Sequence, residues 1–173
     1  MKPQIGVIGF AGPEEYPRGK GPAQKHLQLA FEVGFLIAQE GWTLLTGGKG
    51  GVMLEANKGA KKNNGITVGF IRGSKRKKAN AKTGIEIVTG FENGGSEFTL
   101  VNSADALVVI GGGAGTIQEI ALAYRTKKPI FILSPVPVLE NALFLDDRKN
   151  IQLKKVQNPR QAIAAIKQTL KRN

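Results

Sequence analysis

Cysteine is absent from these 173 residues, and histidine occurs once. The lack of thiols excludes disulfides, cysteine-ligated zinc, iron–sulfur clusters and thiol nucleophiles. It also suits a reducing, cytoplasmic setting. Long apolar runs are missing too, none approaching the ~18 residues of a membrane span. Met1-Lys2-Pro3 leads straight into a strand-like segment, so no signal peptide is expected. Acidic residues are scarce, 13 against 25 Lys plus Arg, for a net charge of +12. What is present supplies a core: 41% of the residues are hydrophobic, which argues against disorder. The length suits one domain over residues 1–173.

The positive charge suggests nucleic acid until it is located. Arg72 to Lys82 holds six basic residues and no acid, and Arg148 to Arg172 holds eight and no acid. The rest of the chain has 11 basic and 13 acidic residues, a net of −2. The basic loop has no interleaved aromatic, so base stacking is not indicated. It could contact nucleic-acid phosphates or steer an anionic small ligand. The preferred expectation is a solvated, mobile loop.

Short apolar runs alternate with helical stretches. Strands are expected at Gln4–Gly9, Trp42–Thr46, Ile66–Ile71, Ile85–Val88, Ala106–Ile110, Pro129–Leu133 and about Ile151–Val156. Helices are expected over residues 22–40, 52–62, 96–103, 116–126 and 159–171, with Pro22 near the first start and Gly41 as its stop. Residues 134–150 read as mixed. Continuous apolar strands separated by helices imply an α/β fold, a doubly wound, Rossmann-like parallel sheet with helices on both faces. Ligands of such folds bind at the carboxyl ends of the strands. Two glycine clusters lie at such ends: Gly47-Gly48-Lys49-Gly50-Gly51 and Gly111-Gly112-Gly113-Ala114-Gly115.

The strict phosphate motifs fail. Gly19-Lys20 is followed by Gly21, and Glu14 takes the first glycine position of a P-loop. The dinucleotide pattern puts Thr116 or Met53 where its last glycine belongs. A dehydrogenase is therefore disfavoured. Even so, glycine lets backbone N–H groups approach a ligand, and a helix N-terminus offers unpaired donors and partial positive charge. Gly113 to Thr116 would aim these at an anion, with Thr116 adding its hydroxyl. Thr116-Ile117-Gln118-Glu119 also reads as a capping box with Thr116 as the cap.

Gly112-Gly113-Ala114-Gly115-Thr116-Ile117-Gln118-Glu119 resembles the Pro-Gly-Gly-x-Gly-Thr-x-x-Glu signature of the LOG-like family, long labelled "possible lysine decarboxylase". Thr46-Gly47-Gly48-Lys49-Gly50-Gly51-Val52-Met53 resembles its other glycine motif. Ser103-Ala104-Asp105, and Gly111 where the enzymes carry Pro, look closer to a bacterial branch similar to molybdenum cofactor carrier proteins. The resemblance implies a phosphate held by Gly113, Ala114, Gly115 and Thr116, beside Gly112, with Gly48, Gly50 and Gly51 lining the same crevice. Several family members are cytokinin riboside 5′-monophosphate phosphoribohydrolases. In them the motif glutamate assists cleavage of the N-glycosidic bond, and Glu119 occupies that position. A carboxylate there could stabilise charge building on the sugar or activate water.

The hydrolases carry an essential Arg in the helix before the glycine-rich strand. Here that helix reads Ser96-Glu97-Phe98-Thr99-Leu100-Val101-Asn102, with no basic residue. A second carboxylate there would repel a phosphate. This departure favours a carrier of a phosphorylated nucleotide or molybdopterin-type ligand over a phosphoribohydrolase. A nucleic-acid binder related to the DNA-processing protein DprA is a further alternative. Lysine decarboxylation has no support. The resemblance also implies a homo-oligomer. Lys49 is a plausible anion contact. His26 is expected on a helix surface, Asp146-Asp147 in a solvated turn with no metal, and Glu14–Lys20 in a loop that could fold over the ligand.

Overall fold

The computed structural model describes residues 1–13, 21–76, 78–92, 94–136 and 153–171. The calls on Glu14–Lys20 and Asp146-Asp147 fall outside these. Among the described residues the strands are β1 (Gln4–Gly9), β2 (Thr43–Thr46), β3 (Ile66–Ile71), β4 (Ile85–Val88), β5 (Ala106–Ile110), β6 (Ile130–Ser134) and β7 (Leu153–Lys155). The helices are α1 (Gln24–Gln39), α2 (Val52–Lys62), α3 (Gly95–Ser103), α4 (Ala114–Arg125) and α5 (Pro159–Leu170).

The strands form one sheet in the order β4-β3-β2-β1-β5-β6-β7, and every pairing is parallel. The chain winds outward from β1 to one edge, then returns to β5 beside β1 and winds to the other. The reversal makes the β1/β5 carboxyl ends the switch point at which such sheets bind ligands.

Side-chain alternation decides which layer each residue joins. Ile5, Val7, Leu44, Ala106, Val108 and Phe131 face a core closed by α1, α2 and α5. Ile8, Leu45, Leu107, Val109, Ile130 and Ile132 face a second core closed by α3 and α4. Every residue of β5 and β6 is buried, as a central parallel strand covered on both faces requires. The expected doubly wound α/β fold is the observed one.

Helix α1 crosses α2 at very close range. A Cβ built on Gly34 would lie 1.9 Å from the Ala56 carbonyl oxygen, and one on Gly59 would lie 1.9 Å from that of Phe31. This crossing sets the position of α2, whose first turn follows a glycine cluster. Helix α1 begins at Gln24 rather than at Pro22. Its start is held by His26, whose Nδ1 accepts from the Ala23 N–H at 3.1 Å. Asn158 caps α5 by accepting from the Gln161 N–H at 2.9 Å, with Pro159 at the first helical position.

Candidate functional site

A crevice of about 820 Å³ opens at the switch point. Five segments converge on it. The end of β1 gives Ile8, Gly9 and Ala11, and the β2–α2 loop gives Gly47 to Gly50. The segment after β3 gives Arg72, Lys78 and Asn80, and the start of α3 gives Ser96 and Glu97. The β5–α4 turn gives Gly113, Ala114, Gly115 and Thr116, with Glu119 one turn further along α4.

Eight sequence-named candidates therefore share one cavity: Gly48, Lys49, Gly50, Gly113, Ala114, Gly115, Thr116 and Glu119. Gly51 and Gly112 do not line it, and their surroundings explain why glycine stands there. Gly51 precedes α2 with φ +63°, and a Cβ on it would lie 2.4 Å from the Ala11 carbonyl oxygen. The Val52 N–H donates to the Phe10 carbonyl at 2.9 Å, so the α2 N-terminus is tied to the β1–α1 connection. Gly112 has φ +128°, and a Cβ there would lie 2.1 Å from Thr116 Oγ1.

The capping-box expectation is corrected here. Helix α4 starts at Ala114, with Gly113 as its N-cap and no side chain capping it. Thr116 sits inside the first turn, buried against Gly112. Glycine at the second helical position is a poor sequence marker of a helix start, which placed the expected boundary two residues late. The consequence is functional. The first N–H groups of α4 have no intrahelical partner and no capping side chain, and they open onto the crevice.

Gly111 marks the departure from the hydrolase motif. Its φ is +59°, which proline cannot adopt, and a Cβ would meet the Phe10 ring at 2.1 Å.

The basic loop is anchored rather than free-standing. The Asn80 N–H donates to the Gly48 carbonyl at 2.7 Å, and Asn80 Nδ2 donates to the Lys49 carbonyl at 2.8 Å. Asn57, fully buried in α2, donates through Nδ2 to Asn80 Oδ1 at 3.3 Å and to Thr83 Oγ1 at 3.0 Å. These bonds clamp the segment onto the first glycine cluster and bring Arg72 and Lys78 to the crevice. Charge counting alone did not single out Arg72, Lys78 and Asn80 as site residues. The available signal was that this loop leaves β3 at the same sheet edge as both glycine clusters.

Carboxyl groups also line the crevice. Glu97 Oε2 accepts from the Gly94 N–H at 3.1 Å and from Ser96 Oγ at 2.7 Å, which fixes its carboxyl group at the start of α3. Glu119 is only 9% exposed. Burial first, and the charge of Glu97 second, push its carboxyl up to about 8, with Lys49 pulling it back. At neutral pH it is mostly protonated.

The fold and this crevice define a doubly wound α/β protein with an uncapped helix N-terminus at its switch point. The chain belongs to the SLOG cluster4 family, whose model matches residues 2–163, within the LOG-like superfamily that its motifs resemble. A protein of Archaeoglobus fulgidus, described as uncharacterized, is 38% identical over 137 residues, 79% of this chain and 83% of its own. The solved molybdenum cofactor binding protein of the phototrophic bacterium Rippkaea orientalis is 35% identical, with 98% of each chain covered and a TM-score of 0.85. The molybdenum cofactor carrier protein of Chlamydomonas reinhardtii is 37% identical, with 99% of each chain covered and a TM-score of 0.82. DNA processing protein A of Helicobacter pylori, at 17% identity and a TM-score of 0.67, shares the fold alone. No helix among the described residues is long and apolar enough to cross a membrane.

Proposed function

We propose that the crevice binds a phosphorylated nucleotide-like or molybdopterin-type ligand and carries it without turning it over. The observation that carries this reading is the uncapped N-terminus of α4 opening into a cavity of ligand size. In this reading Gly113, Ala114, Gly115 and Thr116 take the phosphate. Gly48, Lys49 and Gly50 close over it from the other side, backed by Gly51. Arg72 and Lys78 add positive charge at the same place. The solved relatives that bind or carry a molybdenum cofactor support a cargo of that kind.

Hydrolysis draws little support from the site. A carboxyl raised to about 8 is a poor base at neutral pH, and Glu97 or Ser96 falls about where the phosphoribohydrolases have their Arg. The DNA-processing protein shares only the fold with this chain, at 17% identity, so it lends a nucleic-acid role no support. A cytoplasmic homo-oligomer is part of the same proposal, and light scattering tests the assembly.

The decisive experiment titrates the protein with molybdenum cofactor released from a molybdoenzyme, and with AMP and GMP. Free base is assayed in parallel. Saturable binding without base release is the expected result. Enzyme-like release of base would replace the carrier reading with the hydrolase, in which Glu119 would be catalytic.

A further inference from the structure

The crevice is lined by both cations and carboxyl groups, and a phosphate calls for only the first. Lys49, Arg72 and Lys78 come from the β2–α2 and β3–β4 connections, beside the open N-terminus of α4. Glu97 and Glu119, from α3 and α4, line the same cavity. Glu119 is nine-tenths buried and lines the cavity, and its carboxyl makes no side-chain hydrogen bond among the described residues. Its oxygens are not among the fully buried, unpartnered atoms of the described residues and keep access to the crevice, where a ligand's hydrogen-bond donors would meet them. Glu97, whose Oε2 is held by Gly94 and Ser96, lines the same cavity. Ile8, Phe70 and Leu100 close the floor of the same space, almost wholly buried in the core.

We infer that Glu97 and Glu119 form a specificity wall that reads the N–H donor edge of a 2-amino-4-oxo heterocycle, the edge shared by guanine and pterin. Such an edge presents a ring N–H beside an exocyclic amino group, two adjacent donors suited to a carboxylate. Hypoxanthine lacks the amino group. Adenine presents a bare ring nitrogen beside its amino group, and that nitrogen would face a carboxylate oxygen lone pair against lone pair. This inference rests on the proposed function and narrows its ligand class.

Binding should also move a proton. Donors aimed at Glu119 favour its ionised form, so a group mostly protonated in the free protein gives up its proton when the heterocycle enters. The charged groups acting on Glu119 are Glu97 from α3 and Lys49 from the β2–α2 loop. Arg72, Lys78 and Glu92 line the rest of the cavity. Strands β1 and β6, which also pack against α4, contain no titratable residue.

The test is calorimetric titration at pH 7 in two buffers of different ionisation enthalpy. The probes are GMP, a phosphorylated pterin, AMP, IMP and ribose 5-phosphate, each against the parent protein and Glu119→Gln. GMP or the pterin should bind at least ~10-fold tighter than AMP and IMP, because a site built for donors rejects analogues lacking them. It should also release close to one proton, and the tighter of the two identifies the heterocycle. Glu119→Gln should abolish the proton release and cut the preference to within about twofold, with ribose 5-phosphate losing clearly less affinity than GMP or the pterin. Glu97→Gln should likewise erode the preference. Equal or tighter binding of AMP overturns the inference. So does a loss of ribose 5-phosphate binding in Glu119→Gln as large as the loss for GMP. If no probe binds at all, ribose 5-phosphate included, the proposed function itself falls.

Discussion

Replacing Gly115 with Asp separates folding from ligand binding by sign. Gly115 lies in the first turn of α4, is exposed, and a Cβ built on it meets nothing within 4 Å. The fold therefore accepts a side chain. Removing a helical glycine contributes a few tenths of a kcal/mol, and an acid in the first turn adds ~0.3–1 kcal/mol through the helix dipole. The variant should be more stable by about 1 kcal/mol, a rise in Tm of ~2–4 °C for a chain of this size. A phosphate seated on the same N–H groups would then face a carboxylate at about 4 Å. The repulsion is ~4 kcal/mol at an effective dielectric of 20, less after screening at an exposed position. A loss of affinity of at least ~30-fold follows, since ~1.4 kcal/mol is a factor of ten. Gly115→Ala is the control: it keeps the stability gain and leaves affinity within about fivefold, because it adds no charge. Thermal unfolding and calorimetric titration with ribose 5-phosphate measure both quantities. Unchanged affinity in Gly115→Asp would show that the phosphate does not sit on α4. A Tm lowered by several degrees would refute the helix start at Ala114.

Three further outcomes follow from packing and charge. Gly34→Ala and Gly59→Ala should each destabilise by ~1–3 kcal/mol or more, because the new methyl lands on a backbone carbonyl that cannot swing aside; urea unfolding with no change in midpoint would refute the close crossing. Asn80→Ala removes the bond to the Lys49 carbonyl and one of the two acceptors of buried Asn57. It should lower stability by ~1–3 kcal/mol and weaken ligand binding in the same variant, so unfolding and titration must move together. Glu119 makes stability depend on pH with a definite sign. Its folded pKa, about 8, lies above the reference 4.5, so the unfolded chain ionises first as pH rises. Native stability should fall from pH 4.5 towards 8, by on the order of 3 kcal/mol at pH 7, and then level off. Glu119→Gln should flatten that slope and exceed the parent in stability at pH 8; parallel pH profiles for the two proteins would refute the buried, protonated carboxyl.

Local pattern carried much of the fold. The apolar runs of β1, β5 and β6 are near-continuous rather than alternating because both faces are covered, and that reads directly from residues such as Ala106 to Ile110. The strand order was implied only as a class, since which strands pair depends on the chain reversal after α3. The α4 boundary was displaced because Ala114 and Gly115 give no conventional start signal. The anchoring of the basic loop was invisible for a different reason. Asn80 reaches the Lys49 carbonyl across 31 residues, and no charge count or periodicity encodes such a bond. Glu119 was identified from its motif, but its burial, and hence its protonation, depends on α3 packing beside it. The crevice was therefore legible as a list of glycines, while the cations and carboxyl groups that share it emerged only with the tertiary fold.

The glycines of the two clusters answer to different demands. At Gly51 and Gly112 a side chain would collide with the chain itself, whether or not anything is bound. At Gly115 the space is open, and only a ligand would object. Sequence variation in this family should record that difference. Drift at positions 51 and 112 would be removed by misfolding in any member, including one that had lost its cargo. Position 115 would be the first to change when the ligand no longer matters. A glycine there is then a marker of function still under selection, and its replacement by a larger residue in a well-folded relative is the expected trace of a carrier that has stopped carrying.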